Sequence, residues 1–332
     1  MCSRTLKKIG VKITMRSLKG KTVLITGGAG FIGSHLAEGI LCAGVNKTVV
    51  VDNLFVGKLE NLSGVSEQIV FYKEDAADLH AMEAIIRKEG VEVIYNLATM
   101  ALIYSFFNPH TAYMVNVKIA DVLMHLLRNG EYETLIHTSS SEAYGTALYT
   151  PMDENHPLNP TTPYAAGKAA ADLLVKSFFN MYDLDMAIIR PFNNYGPRQN
   201  MDGNLAGIIP LTVRRIKNGE MPIVEGDGLQ TRDYIYVNDT VRGLISAYEH
   251  VQIRGKTINL GSGVESRVID IIEAICDYFG YAMEVEYRNE RVADVRRLCA
   301  STVKAKELLG FVCETTFEEG IVKTLDWYTK CT

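Results

Sequence analysis

The chain has few cysteines and no arrangement of them that implies chemistry. Six occur in 332 residues (Cys2, Cys42, Cys276, Cys299, Cys313 and Cys331), and none form a C-x-x-C pair. No Cys/His cluster has metal-ligand spacing, so no metal is expected, and scattered thiols fit a reducing compartment such as the cytoplasm. No apolar run approaches the ~18 residues of a membrane helix, so no membrane partner is expected. Basic excess is missing too: 34 Lys and Arg stand against 39 Asp and Glu, a net charge of −5. That argues against nucleic acid as a partner. No internal repeat or low-complexity linker breaks the chain. What remains is ordinary globular composition, 47% hydrophobic and 22% charged, with ample core for one large domain or two modest ones. The opening stretch "MCSRTLKKIGVKITMRSLKG" is basic with no acidic residue, but it has neither the apolar core nor the cleavage site of a targeting peptide. Residues 1–19 are expected to be a disordered basic tail, with Met15 the natural start.

Short apolar runs at 21–28, 47–53, 68–75, 91–98, 134–140 and 185–191 alternate with helical spacing at 34–44, 79–89, 110–129 and 163–182. Strands that are apolar throughout, alternating with helices, predict a parallel sheet covered on both faces. At "RPFNNYGPRQNMDGN" (190–204) the texture changes. Beyond it a helix is expected near 207–218, strands near 222–225, 256–263 and 283–287, and a strand followed by a helix within 232–250. The fold class is α/β: a Rossmann-type doubly wound parallel sheet with a smaller, interleaved C-terminal α/β region. The expected division gives residues 20–191 and about 233–263 to dinucleotide binding, and about 192–232 and 264–329 to the substrate.

"TGGAGFIGSHL" sets Gly27, Gly30 and Gly33 directly after the first strand, opening a helix. A tight turn, close backbone approach to a pyrophosphate and close helix–strand packing all need glycine, and the free N–H groups of the helix start suit phosphate. Asp52 ends the second strand about twenty residues further on, followed by Asn53 and not by arginine. A carboxylate there accepts from the ribose 2′-hydroxyl and repels a 2′-phosphate, which favours NAD over NADP. Asp75, after the third strand, faces the adenine or caps the next helix.

"TPYAAGKAAADLL" places Tyr164 and Lys168 four apart, on one helical face. An ammonium beside a phenol, with a positive nicotinamide ring, is expected to bring the phenol toward neutrality so that it serves as a base. "HTSSSEAYGT" offers Ser140 to hold the substrate oxygen, and Glu142 two residues on. On an extended chain Glu142 points to the same side as Ser140, toward the substrate.

The motifs "TGGAGFIGSHL", "DNLFVGKLENL", "PYAAGK", "RPFNNYGPRQ", "GDGLQTRDYIYVND" and "RVADVRR" together resemble the extended short-chain dehydrogenases/reductases, of the nucleotide-sugar epimerase/dehydratase kind, over nearly all of residues 20–329. The resemblance implies a catalytic Ser140, Tyr164 and Lys168. It implies a cofactor wall that adds Phe31, Ile32, Ala76, Leu97, Ala98, Thr99, Asn116 and Pro191 to the glycines and acids above. It assigns the nucleotide-diphosphate sugar to Ser105, Ser141, Glu142, Asn193, Glu225, Arg232, Arg291, Arg296 and Leu298. Arginine suits the diphosphate because its fork pairs with phosphate oxygens through parallel hydrogen bonds. Homodimerisation through a four-helix bundle of the helices near 110–128 and 163–180 is implied by analogy.

The implied chemistry passes through a 4-keto sugar while NAD is regenerated. "DNLFVGKLENL" and "RQNMDGNLAGIIP" are similar to 4-epimerases, whereas "SSSEAYGTALYTPMDENHPL" and "ALIYSFFNP" are closer to 4,6-dehydratases and decarboxylases. Decarboxylases carry arginine where Leu298 aligns, which argues against loss of CO2; in epimerases the same position sets room near the sugar C2. A 4-epimerase is favoured, a 4,6-dehydratase is second, and a decarboxylase or 4-dehydrogenase follows. A non-catalytic NAD-sensing protein is the remote alternative, disfavoured because Tyr164 and Lys168 are both present.

Overall fold

The computed structural model describes residues 14–201 and 206–330. Its first part alternates as the apolar spacing predicts: β1 (Thr22–Thr26), α1 (Phe31–Cys42), β2 (Lys47–Val51), β3 (Ile69–Tyr72), α2 (Leu79–Glu89), β4 (Val93–Asn96), α3 (Pro109–Arg128), β5 (Thr134–Thr138), α4 (Pro163–Tyr182) and β6 (Met186–Pro191). There follow β7 (Asn193–Tyr195), α5 (Ile208–Lys217), β8 (Ile223–Glu225), β9 (Thr231–Tyr236), α6 (Val237–Glu249), β10 (Thr257–Leu260), β11 (Glu265–Arg267), α7 (Val268–Phe279), β12 (Glu286–Arg288), α8 (Val303–Leu309) and α9 (Phe317–Lys330).

Seven strands form one parallel sheet in the order β3-β2-β1-β4-β5-β6-β10. Strands β1, β4, β5 and β6 are buried at every residue because helices cover both faces. On one face α1, α6 and α8 pack Leu36, Ile40, Leu244, Ala305 and Leu309 against the sheet. On the other, α2, α3 and α4 contribute Met82, Ile86, Leu123, Ala171 and Val175. A third core, with Tyr195, Val213, Ile275, Leu325 and Tyr328, joins α5, α7 and α9 to a small sheet ordered β11-β9-β7. Strands β8 and β12 pair separately.

Three expectations need correction. The Asn/Gly/Pro-rich stretch after β6 holds a strand: β7 pairs in parallel with β9, so tertiary pairing overrides a loop-like composition. The expected division of the chain also misplaces two pieces. Residues 233–236 belong to β9 of the small sheet, and α8 packs with the large one. Finally, the basic tail is docked where it is described. Met15 bridges to His250, Arg16 N–H donates to the Glu249 carbonyl at 2.9 Å and Arg16 Nε to the Tyr248 carbonyl at 2.6 Å. Arg16 also pairs with Asp185, and Leu18 is wholly buried. Residues 1–13 of that tail, including Cys2, lie outside the described residues, as does Cys331. The other four cysteines are free thiols, and no group of described residues has metal-binding geometry.

The sheet's C-terminal edge gathers the turn after β1, the 97–101 segment after β4, the 139–142 segment after β5 and the 191–194 segment after β6. That edge of an open α/β sheet, at the point where strand order reverses, is where ligands bind.

Candidate active site

Two adjoining cavities open at this edge. The first, of about 450 Å³, runs from the glycine turn to Tyr164. Gly27 has φ +68°, and a Cβ there would lie 2.7 Å from the Ala98 nitrogen. A Cβ on Gly33 would lie 2.3 Å from the Gly27 carbonyl oxygen, so bare backbone is required where α1 starts. Gly30, Phe31 and Ile32 complete this turn of the wall. The Asp52 carboxylate accepts from the backbone N–H of Ala29 at 3.0 Å and of Leu54 at 2.8 Å. It thereby ties the end of β2 to the glycine turn; burial raises its pKa against those bonds. Asn53, Asp75, Ala76, Leu97, Ala98, Thr99 and Pro191 also line this cavity. Asp75 accepts from Ala77 N–H, while the cap of α2 is Asp78, which receives His80 and Ala81 N–H. The glycine cradle, the acid at the end of β2 and a cleft running to the Tyr–Lys pair fit a dinucleotide.

At the inner end, α4 starts cleanly. Thr162 Oγ1 accepts Ala165 N–H at 3.2 Å, and Pro163 occupies the first turn, where its missing N–H costs nothing. Tyr164 and Lys168 then present one buried face to the cavity. Lys168 Nζ donates to the Thr138 carbonyl at 3.0 Å. Burial pushes Tyr164 up to about 12, opposed by the polar Ser140 and Thr99 side chains beside it. Burial likewise lowers Lys168, to about 8, against the Asp172 charge.

Glu142 lines both cavities. Its position has a different cause from the one expected: Ser140 is extended but caps a 3₁₀ turn over Ser141–Tyr144, accepting Glu142 N–H at 3.2 Å, and the turn aims the carboxylate inward. Burial raises its pKa, opposed by Arg232 and reinforced by Asp294.

The second cavity, of about 320 Å³, lies between the sheet edge and the C-terminal region. Asn193, Glu225, Arg232 and Arg291 line it, and Ser141 lines the first. Each arginine is held by a carboxylate: Arg232 Nη2 to Asp294 at 2.8 Å, and Arg291 to Glu225. Asn193 Oδ1, Gln199 Oε1 and Gln230 Oε1 are buried with no hydrogen-bond partner among the described residues, and all three residues line this cavity. Unspent acceptors on a cavity wall await a donor. Gln199, Gln230 and Asp294 were not singled out from the sequence, although each falls inside a quoted motif: RPFNNYGPRQ, GDGLQTRDYIYVND and RVADVRR.

Four expected residues are not on the walls. Asn116 acts behind one: its Oδ1 accepts the Thr99 hydroxyl at 2.7 Å and Met100 N–H at 3.3 Å. Ser105 bonds the Leu102 carbonyl at 2.6 Å. Arg296 turns outward to a two-bond pair with Asp227, at 2.8 and 3.0 Å, and is half exposed. Leu298 N–H donates to the Thr231 carbonyl, and this pairing turns its side chain into a core with Tyr144, Met152 and Phe192.

A dinucleotide cradle whose cleft ends at a Ser–Tyr–Lys set, beside a cavity with paired arginines, defines a Rossmann protein of the short-chain dehydrogenase/reductase class. The chain belongs to the family described as GDP-mannose 4,6 dehydratase, which matches residues 24–324. It is 35% identical to a UDP-glucose 4-epimerase of Mycolicibacterium smegmatis over 92% of this chain and 97% of that one. Among solved structures it is similar to the Thermotoga maritima UDP-glucose 4-epimerase with UDP-glucose, at TM-score 0.88 and 32% identity, covering 93% and 99% of the two chains. It is also similar to a Streptomyces venezuelae dTDP-glucose 4,6-dehydratase with NAD and TYD bound, at TM-score 0.88 and 28% identity, covering 93% and 97%.

Proposed function

We propose that the chain is an NAD-dependent 4-epimerase of nucleotide-diphosphate sugars, working through a transient 4-keto sugar. The observation that carries this is Tyr164, buried at the inner end of the cofactor cleft within reach of Ser140 and Thr99, where the two cavities adjoin. Bound NAD supplies a hydride acceptor that regenerates within each cycle, and its positive ring supplies the charge that Tyr164 lacks. Tyr164 takes the proton of the sugar 4-hydroxyl and later returns one. Ser140 holds that oxygen, and the Lys168 ammonium stabilises the phenolate. Asp52 selects NAD through the ribose hydroxyls. Arg232 and Arg291 receive the diphosphate after leaving their carboxylates, and Asn193, Gln199 and Gln230 accept from nucleotide or sugar donors. The epimerase relatives support inversion at C4. A homodimer through α3 and α4 fits the exposed Tyr113, Met114 and Leu173 on those helices, and the cytoplasm fits the free thiols.

Dehydration across C5–C6 is the second reading, favoured by Glu142, a partly buried carboxylate on the walls of both cavities whose pKa is raised by desolvation, as suits a base. Incubating the protein with UDP-, GDP-, CDP- and dTDP-sugars and analysing products by mass and NMR separates the readings. Unchanged mass with inverted C4 is expected; loss of one water would establish dehydration, and no turnover on the whole panel would remove both. Glu142→Gln sharpens the test on the confirmed substrate. An epimerase should lose about tenfold or less, because Tyr164 still moves the proton. A dehydratase should stop at the 4-keto sugar.

A further inference from the structure

Ser140 and Glu142 stand on one short segment, residues 139–144, which leaves β5 extended and closes as the 3₁₀ turn over Ser141–Tyr144. Inside it the shaping bonds are few: Ala143 N–H donates to the Ser140 carbonyl at 3.2 Å, and Gly145 N–H to the Glu142 carbonyl at 3.0 Å. A single 3₁₀ turn has poor hydrogen-bond geometry, so it takes its shape from what surrounds it. Two side chains of the segment, one at each end, lead to Arg190 on β6. At the front, Ser139 Oγ donates to Asp172 Oδ2 at 2.6 Å, and Arg190 Nη2 donates to the same oxygen at 2.5 Å. At the back, the Arg190 guanidinium carbon lies over the Tyr144 ring, 4.3 Å from its centre. Tyr144 is pinned in turn. Its hydroxyl donates to Asn259 Oδ1 at 2.8 Å, and Asn259 Nδ2 donates to the Met152 carbonyl at 3.0 Å. The second Asp172 oxygen faces His137 Nε2, on β5, at 3.7 Å. Arg190, Asp172, Tyr144 and Asn259 are all buried, and none of them lines either cavity.

We propose that Arg190 is a positioning residue: it braces the 139–144 segment at both ends, through Asp172 onto Ser139 and directly onto Tyr144, and so fixes where the Ser140 hydroxyl stands beside Tyr164. The task suits arginine. A planar guanidinium donates from its edge while its face covers a ring, two tasks that a lysine ammonium does not combine. A buried ion pair is weak support for stability, because desolvating both charges offsets their attraction. What this pair supplies is direction. One oxygen of Asp172 is shared by the guanidinium and Ser139, so the end of β5 is tied to α4 and β6 at once. Close packing locks the chain beyond the brace: Gly145 has φ +67°, and a Cβ there would lie 2.0 Å from the Asn159 carbonyl oxygen.

The inference rests on reading Ser140 and Tyr164 as reacting groups, so one arm of the test is read without turnover. Arg190→Lys keeps a cation for Asp172 and uncovers the Tyr144 ring. Arg190→Met/Asp172→Asn removes the pair together and strands no charge. In NAD-loaded protein, hydrogen–deuterium exchange read by mass spectrometry should rise at least about tenfold in peptides spanning 139–146 and stay unchanged in β1 and β4. A rise spread evenly over the sheet, or none, overturns the proposal. The second arm uses the nucleotide sugar that product analysis identifies. Arg190→Lys should lower kcat about tenfold or more with KM within about twofold, since a reacting group misplaced by about an ångström loses that much. Placed on Ser140→Ala, the same change should cost less than about twofold more, because the brace has nothing left to position. Equal losses in both backgrounds would make Arg190 a general structural residue and overturn the proposal. Tyr144→Phe keeps the ring and gives up only Asn259; it carries the same cycle where the arginine variants do not fold. Its smaller loss should vanish on Ser140→Ala, and an additive result overturns the proposal as well. Full turnover in Ser140→Ala or Tyr164→Phe would sink the reaction reading and leave the exchange result to decide the brace.

Discussion

On the proposed reading both cavities hold an anionic ligand, and they are built for it in opposite ways. The first is finished before anything binds: glycines clear the backbone, Asp52 is fixed by Ala29 and Leu54, and Lys168 is anchored on Thr138. The second is self-neutralised. Arg232 belongs to Asp294 and Arg291 to Glu225; on the proposed reading a diphosphate would displace a carboxylate from each. Preorganisation resides on the sheet, whose strand ends are locked by parallel neighbours. Adaptability resides on elements tied together by side-chain pairs.

If that contrast is right, the largest effect belongs to the rigid side. Tyr164→Phe should fold normally and retain NAD, but lose about a thousandfold or more in turnover, from the missing proton acceptor and its orientation. Released nucleotide and single-turnover assays check both halves, and a variant that turns over near the parent rate would break the comparison. On the exchangeable side Arg232→Ala should raise KM and weaken free nucleoside diphosphate together. A charge-assisted bond worth about 1.5–3 kcal/mol corresponds to roughly ten- to over a hundredfold. Calorimetry showing unchanged affinity would make Arg232 a structural partner of Asp294. The smallest effect belongs outside both cavities: Arg296→Ala, which removes a half-exposed, solvent-screened pair with Asp227, should change KM by less than about twofold.

Legibility from the sequence follows the same divide. The glycine turn, Asp52 and the Tyr164–Lys168 pair are local: fixed spacings on a strand, a turn and a helix carry them, and the periodicity of the parallel strands placed them on one edge. The second cavity is built from distance. Arg232 and Asp294 are 62 residues apart, and nothing near either names the other. Leu298 and Arg296 were misplaced because the pairing of residues 296–298 with Thr231 decides which side chain turns inward, and register of that kind is invisible in composition. Strand β7 was not anticipated because its Asn residues carry no strand signal until β9 lies beside them. Asp172 and His137 looked like ordinary helix and strand residues, and only the fold brings them together.

The paired arginines also have a kinetic consequence. Among the described residues, the charged groups on the second cavity's wall are three carboxylates, Glu142, Glu225 and Asp294, against the guanidinium groups of Arg232 and Arg291. Such a mouth projects no net positive field, so a dianionic sugar nucleotide arrives by unassisted diffusion and the arginines act only after contact. Association should then change little with ionic strength, staying far below the 10⁸–10⁹ M⁻¹s⁻¹ of steered encounters. Stopped-flow binding of a fluorescent nucleoside diphosphate across a salt series would show this as a nearly flat line. A steep decline would mean that the carboxylates leave the arginines before the ligand arrives.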